Sequence, residues 1–246
     1  MLLTPEFFKI TFEWTCIGLF LICLVHSLHT YGKHRTFREF LCGFILSAGC
    51  ENIGVLSGAY VYPGFSFYFF DIPLVNPLSW VALVYLIMHI TNSIFPKVQT
   101  SGSVFLFFLI AIIDSSMALA VDLMMDPLAT IYNWWIWVDP SEIKVVKGTV
   151  DPYNFNNMTH MVTPDQPIHD FFAGFFTNGT RYPTRPFGIP LINFLSWFVF
   201  VLVFSFLFRL IESRSTYSDS KKTLILLSIM ILVTPFLCFL LITPNL

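Results

Sequence analysis

The chain has 246 residues, of which 56% are hydrophobic and 11% charged, with 29 Phe and a formal net charge of −2. Soluble domains run nearer 45–50% apolar and about 25% charged, so the composition argues against a water-soluble globule. The near-neutral charge and the lack of a basic helix or aromatic-basic array set nucleic acid aside.

Apolar runs near the ~20 residues that cross a bilayer fall at about 10–28, 40–60, 74–95, 103–126, 188–209 and 223–243. They predict an all-α polytopic membrane helix bundle of about six transmembrane helices. Residues 1–246 form one transmembrane domain, with an extramembrane loop insert at 139–187. The first run is interrupted by Glu13 and Trp14 and lacks a basic leader and a small-residue cleavage site, so it is expected to be retained.

Basic residues set the expected orientation. Lys33, Arg35 and Arg38 lie between the first and second spans, and Lys97 between the third and fourth. Arg209, Arg214, Lys221 and Lys222 flank the join of the fifth and sixth. Alternate connections share a side, and the positive-inside rule makes that side cytoplasmic. Both termini then face outward from what is expected to be the cell membrane, with Lys9 opposing this weakly.

The 139–187 insert is rich in Pro, Asn, Thr and Gly and exceeds the roughly 12–15 residues usual for an unstructured loop. It carries two glycosylation triplets, at Asn157 and Asn178, which suit an external face. Cys16, Cys23, Cys42, Cys50 and Cys238 all fall in predicted spans, as small apolar groups rather than a disulfide framework or zinc site. The histidines show no paired ligand spacing on one helix face, so no metal is assigned.

Four carboxylates, Glu51, Asp114, Asp122 and Asp126, sit inside the apolar runs, where an unpartnered charge is costly. At 1.5 Å per residue, Glu51 and Asp114 are expected roughly 16–18 Å deep, near mid-bilayer. From Asp114, Asp122 and Asp126 rotate by about 80° and 120°, which places three acids on one side of the fourth helix. A simpler reading makes each acid structural, and Pro127 suggests that Asp126 is a solvated helix end. With every Lys and Arg expected in a connection or at a span end, no cation is expected at this depth. Burial then favours neutral, proton-donating acids.

Aromatic residues crowd the outer ends, from Tyr60 to Phe70 and at Trp134, Trp135 and Trp137. Most suit an interfacial belt, and the rest suit a cavity whose π-faces stabilise a cation. Gly54 and Gly58 have the small-xxx-small spacing of close helix packing.

The order of blocks is more specific than any one of them. Glu51-Asn52-Ile53-Gly54-Val55-Leu56-Ser57-Gly58-x-Tyr60 is followed by Pro73 and Asn76-Pro77-Leu78-Ser79-Trp80. Then come Asp114, Asp122-Leu123-Met124-Met125-Asp126-Pro127 and Trp134-Trp135-x-Trp137, and last Phe187-Gly188-Ile189-Pro190-Leu191-x-Asn193-Phe194-x-x-Trp197. Over about 43–205 this resembles the integral-membrane carotenoid biosynthesis family, which includes the bisanhydrobacterioruberin hydratase and the carotenoid 1,2-hydratase. The insert at 139–187 is longer than that pattern and puts the substrate's identity in doubt.

The resemblance implies a cofactor-independent hydratase that adds water to a terminal isoprenoid double bond, leaving a tertiary alcohol. Its partners would be a long apolar isoprenoid, the lipid bilayer and other membrane enzymes of the pathway. Such a reaction needs a neutral acid, a π or negative environment for the tertiary cation, and one placed water. The expected assignment gives proton donation to Glu51 or Asp114 and water placement to Asp122 and Asn193. Tyr60, Trp80, Trp135, Trp137 and Trp197 would wall the substrate, with Trp80 or Trp135 beside the cation.

Three rivals remain at this stage: an end-group cyclase, a Mg-dependent membrane prenyltransferase using Asp122 and Asp126, and a proton-coupled carrier. The prenyltransferase lacks the flanking Asn and the second aspartate-rich segment expected of it. The carrier lacks an internal repeat or an interrupted helix pair.

Overall fold

A computed structural model of the chain describes residues 5–56, 60–132, 134–137 and 189–241. Among the described residues seven helices form: α1 (Pro5–Tyr31), α2 (Lys33–Leu56), α3 (Val75–Ile94), the short α4 (Pro96–Ser101), α5 (Val104–Ile131), α6 (Leu191–Glu212) and α7 (Asp219–Leu241). All except α4 are long and apolar enough to cross a membrane, so this is an all-α polytopic integral membrane protein. Ser57 and Gly58, the 139–187 insert, its two glycosylation triplets, His160, His169, Phe187 and Gly188 lie outside the described residues.

The helices overrun the apolar stretches that signal them. The expected loop at 29–39 is instead a tight turn at Gly32, whose φ of +79° is a left-handed conformation that suits glycine. α2 begins immediately after it, with Lys33. Its polar first turns are held by pairing: Arg38 Nε donates to Glu212 Oε1 at 2.6 Å, and Arg38 Nη1 to the Asp219 carbonyl at 3.1 Å. Gly102, at φ +62°, closes α4, and Ser103 Oγ then accepts from Leu106 N to start α5.

Pro127 does not end its helix. α5 continues to Ile131 because a proline ring removes one N–H and its bond without stopping flanking turns that are packed and bonded. Asp126 is therefore inside the helix and buried, and its reading as a solvated terminus is corrected.

α5 packs along α6, α2 along α7, and α1 along α3, with α2 also against α3. One core cluster fills the space between α2, α3, α5, α6 and α7, around Leu46, Met88, Phe204 and Met230. Ile22, Phe105, Leu232 and Phe236 remain outward and exposed, the surface a lipid tail would cover.

The two ends of the bundle differ. The α1–α2 turn, α4 and the α6–α7 loop gather the basic residues at one end. At the other, β1 (Tyr60–Val61) pairs antiparallel with β4 (Ile136–Trp137), and β2 (Tyr68–Phe69) with β3 (Ile72–Pro73). Two charged residues of α1 anchor this aromatic end: Lys9 Nζ donates to the Pro63 carbonyl at 2.9 Å, and Glu13 accepts from Ser66 N and Oγ at 2.9 and 2.7 Å. Glu13 interrupts the first apolar run because it ties a loop down.

Candidate functional site

A cavity of about 230 Å³ opens between α1, α2, α3, α5 and α6, towards the aromatic end. α2 contributes Glu51, α5 contributes Asp122 and Asp126 one turn apart, and α6 contributes Asn193. Tyr60, Tyr62 and Trp135 close it from the connections, and Asn76, Ser79 and Trp80 from α3. Phe12 and Cys16 of α1 and Trp197 of α6 complete an aromatic and apolar wall. Among the described residues, no Lys or Arg lines it.

Glu51 is held by two phenols. Tyr60 donates to Glu51 Oε2 at 3.1 Å, and Tyr62 donates to the same oxygen. Burial, and then the neighbouring Glu51 carboxyl, push both phenols well above their ordinary range, so they stay protonated donors. Tyr60 reaches this position only because residue 54 is glycine. A Cβ at Gly54 would lie 2.1 Å from the Tyr60 hydroxyl.

On the opposite wall, Asn193 Nδ2 donates to Asp126 Oδ2. Asp122, 3% exposed, keeps Oδ2 buried without a hydrogen-bond partner among the described residues. A buried, unsatisfied carboxyl oxygen is costly and leaves room for a water or a ligand as its partner. Trp80 and Trp197 stack at 3.8 Å with an interplanar angle of 13°, and Trp135 meets Tyr62 edge to face at 5.9 Å.

Asp114 does not share this cavity. It is fully buried nearer the basic end, where Arg209 Nη1 and Ser205 Oγ donate to its Oδ2 and Thr91 Oγ1 donates to its Oδ1 at 2.7 Å. Arg209 also donates to Asn92 Oδ1 at 3.1 and 3.2 Å. The expectation of no cation at carboxylate depth is therefore corrected. α6 carries Arg209 inward because Leu210, Ile211 and Glu212 continue the helix beyond it.

The structure thus brings together Glu51, Tyr60, Trp80, Asp122, Trp135, Asn193 and Trp197, and leaves Asp114 apart. Trp137 takes part in the β1–β4 pairing, while its side chain lies outside the described residues. Tyr62, Asn76 and Ser79 were not among the expected site residues, and Asp126 was expected to act only in the prenyltransferase alternative. Asp126 had a readable signal, four residues after Asp122 on the same helix face, which the following proline masked. Among the described residues, no group of three His, Cys, Asp or Glu is arranged to hold a metal ion.

A family model described as "Carotenoid biosynthesis protein" matches residues 8–144, more than half of the chain. The chain belongs to the carotenoid biosynthesis protein family. The match takes in Glu51, Tyr60, Tyr62, Trp80, Asp122, Asp126 and Trp135, so most of the cavity wall falls within the family region. Searches of curated proteins and of solved structures found no match. Membership makes this a membrane protein of carotenoid biosynthesis.

Proposed function

We propose that the protein is a carotenoid hydratase, adding water across a terminal isoprenoid double bond of an acyclic carotenoid. The observation that carries this reading is a cavity walled by Trp and Tyr, lined by no Lys or Arg among the described residues, into which α2 and α5 bring Glu51, Asp122 and Asp126.

The roles follow from the contacts. Asp122 is the proton donor, because its Oδ2 has no partner among the described residues to compete with an alkene. Protonation of the less substituted alkene carbon leaves a tertiary cation on its neighbour. Trp80, Trp197 and Trp135 line the cavity around that charge, where aromatic π-density attracts a cation, and the acidic lining adds favourable potential. Asp126, oriented by Asn193, holds the water and takes its proton as the C–O bond forms. Proton transfer between the two carboxyls, one helical turn apart, restores the starting state. One alkene and one water are consumed, and one tertiary alcohol forms.

Glu51, held by Tyr60 and Tyr62, shapes the far wall and faces the developing charge. Asp114 has no part in the chemistry, since its two oxygens are occupied by Arg209, Ser205 and Thr91. The protein sits in the cell membrane with its basic end cytoplasmic and the cavity toward the outer leaflet.

The test is pigment extraction from cells producing the protein together with lycopene. A product heavier by one water per modified end supports hydration. A product of unchanged mass replaces it with cyclisation.

A further inference from the structure

Along α2, Arg35, Glu39, Gly43 and Ser47 recur every fourth residue and therefore lie in one line on the helix surface. Glu39, Gly43 and Ser47 line a narrow cleft between α2, α3 and α6 with about 30 Å³ open. The cleft lies on the basic-end side of the carboxylate cavity, and the stacked Trp80 and Trp197 belong to the walls of both. Its remaining walls are apolar, with Val81, Val84 and Phe204. Gly43 keeps the cleft open but narrow: a Cβ there would stand 3.3 Å from Val81 Cγ2 and 3.5 Å from Phe204 Cζ. A space that one methyl group would bridge has no room for a chain or a ring, and its volume matches about one or two water molecules.

Three buried polar atoms on this line, Ser47 Oγ, Glu39 Oε2 and Arg35 Nε, have no hydrogen-bond partner among the described residues. Ser47 and Glu39 are 5% and 3% exposed, so bulk solvent does not satisfy them. Arg35 Nε and Glu39 Oε2 stand 4.0 Å apart, an ion pair too long for a direct hydrogen bond. Buried polar groups nearly always have a partner, and a polar separation beyond about 3.5 Å is where a water bridges. Tyr85 also lines the cleft, and its hydroxyl lies 2.6 Å from Nδ1 of His26, which is exposed on α1. That pair links the cleft lining to the surface.

We propose that the cleft is an internal water site, anchored by Ser47 Oγ behind the Trp80–Trp197 stack and by the Glu39–Arg35 pair about 12 Å away along α2, towards the basic end. Water suits these atoms because it donates to the Glu39 carboxyl oxygen, accepts from the Arg35 Nε–H, and does either with the Ser47 hydroxyl. The apolar walls leave the anchors as the only attraction for it among the described residues, so removing an anchor empties that part of the cleft. The site brings solvent to the back of the aromatic wall of the carboxylate cavity, and it stands whether or not that cavity hydrates an alkene.

The experiment is X-ray hydroxyl-radical footprinting of the full chain in detergent, read by mass spectrometry, because radicals born from bound water oxidise the side chains beside it. Leu46 and Phe200 line the cleft, while Leu226 and Phe107 are comparably buried residues of the same types outside it. Wild type is expected to oxidise Leu46 and Phe200 several-fold faster than Leu226 and Phe107. Ser47→Ala leaves the space but removes its anchor, and should bring Leu46 and Phe200 down to the rate of that core pair, since apolar spaces stay dry. Glu39→Leu removes the other anchor and should lower oxidation of Tyr85 several-fold below wild type. Each variant is checked by its thermal unfolding midpoint, and Ser47→Ala decides alone where Glu39→Leu does not fold. Wild type in which Leu46 and Phe200 react no faster than the core pair, or a folded variant that reacts at the wild-type rate, overturns the water site.

Discussion

Asn193 Nδ2 donates a hydrogen bond to Asp126 across the α5–α6 interface, joining the two helices at the wall of the carboxylate cavity. One bond of this kind contributes about 1 kcal/mol net, and leaving its partner unsatisfied costs about 1–3 kcal/mol. Asn193→Ala is therefore expected to lower turnover on lycopene by roughly 5- to 100-fold through a misplaced water, with little change in substrate retention. Steady-state turnover with a parallel lycopene-binding measurement checks this. Unchanged turnover removes Asn193 and its grip on Asp126 from the mechanism.

Asp114 and Arg209 predict a stability effect. Asp114→Asn leaves the Arg209 guanidinium buried without its charge partner, a change that costs about 3–5 kcal/mol. The unfolding midpoint in detergent should fall clearly. The double variant Asp114→Leu with Arg209→Met should recover most of the loss, since apolar replacement of a buried pair is often neutral. A double variant no more stable than Asp114→Asn alone contradicts this account of the pair.

Gly54→Ala tests how Glu51 is held. The added methyl occupies the place of the Tyr60 hydroxyl, so Tyr60 must swing away and release Glu51. Activity should drop at least as far as in Tyr60→Phe, which removes the same hydrogen bond without a clash. Fully active Gly54→Ala protein would show that the phenol contact is dispensable.

Much of this was legible in the residues themselves. Six apolar runs gave six crossing helices, and Glu51, Asp122 and Asn193 do meet, because intramembrane polar side chains face the bundle interior. What composition hides is pairing. Arg38 and Glu39 belong to the interior of a helix although they read as loop, because Arg38 finds Glu212 and Asp219 on helices far away in sequence. Arg209 reads as a span end until the residues after it are counted into the helix. Asp114 therefore carries the same sequence signal as Asp122, and only the tertiary partners separate an ion pair from an open acid. Pro127 misled in the same way, because the rule for helix ends is weaker where neighbouring helices hold the chain.

Metal removal separates the hydratase from a prenyltransferase built on Asp122 and Asp126. Exhaustive treatment with a chelator should leave turnover on lycopene unchanged, and added Mg²⁺ should not raise it. A loss restored by Mg²⁺ would assign the two aspartates to a metal and a diphosphate instead.

The most direct test follows solvent oxygen into the product. Purified wild type and Asp122→Asn are incubated with lycopene in isotopically heavy water, and the carotenoid is analysed by mass. Wild type should place one labelled oxygen at each hydrated end, while Asp122→Asn, folded and still retaining lycopene, should fall by roughly 10²- to 10⁴-fold, the usual contribution of a general acid. An Asp122→Asn protein that labels the product at the wild-type rate would contradict the account.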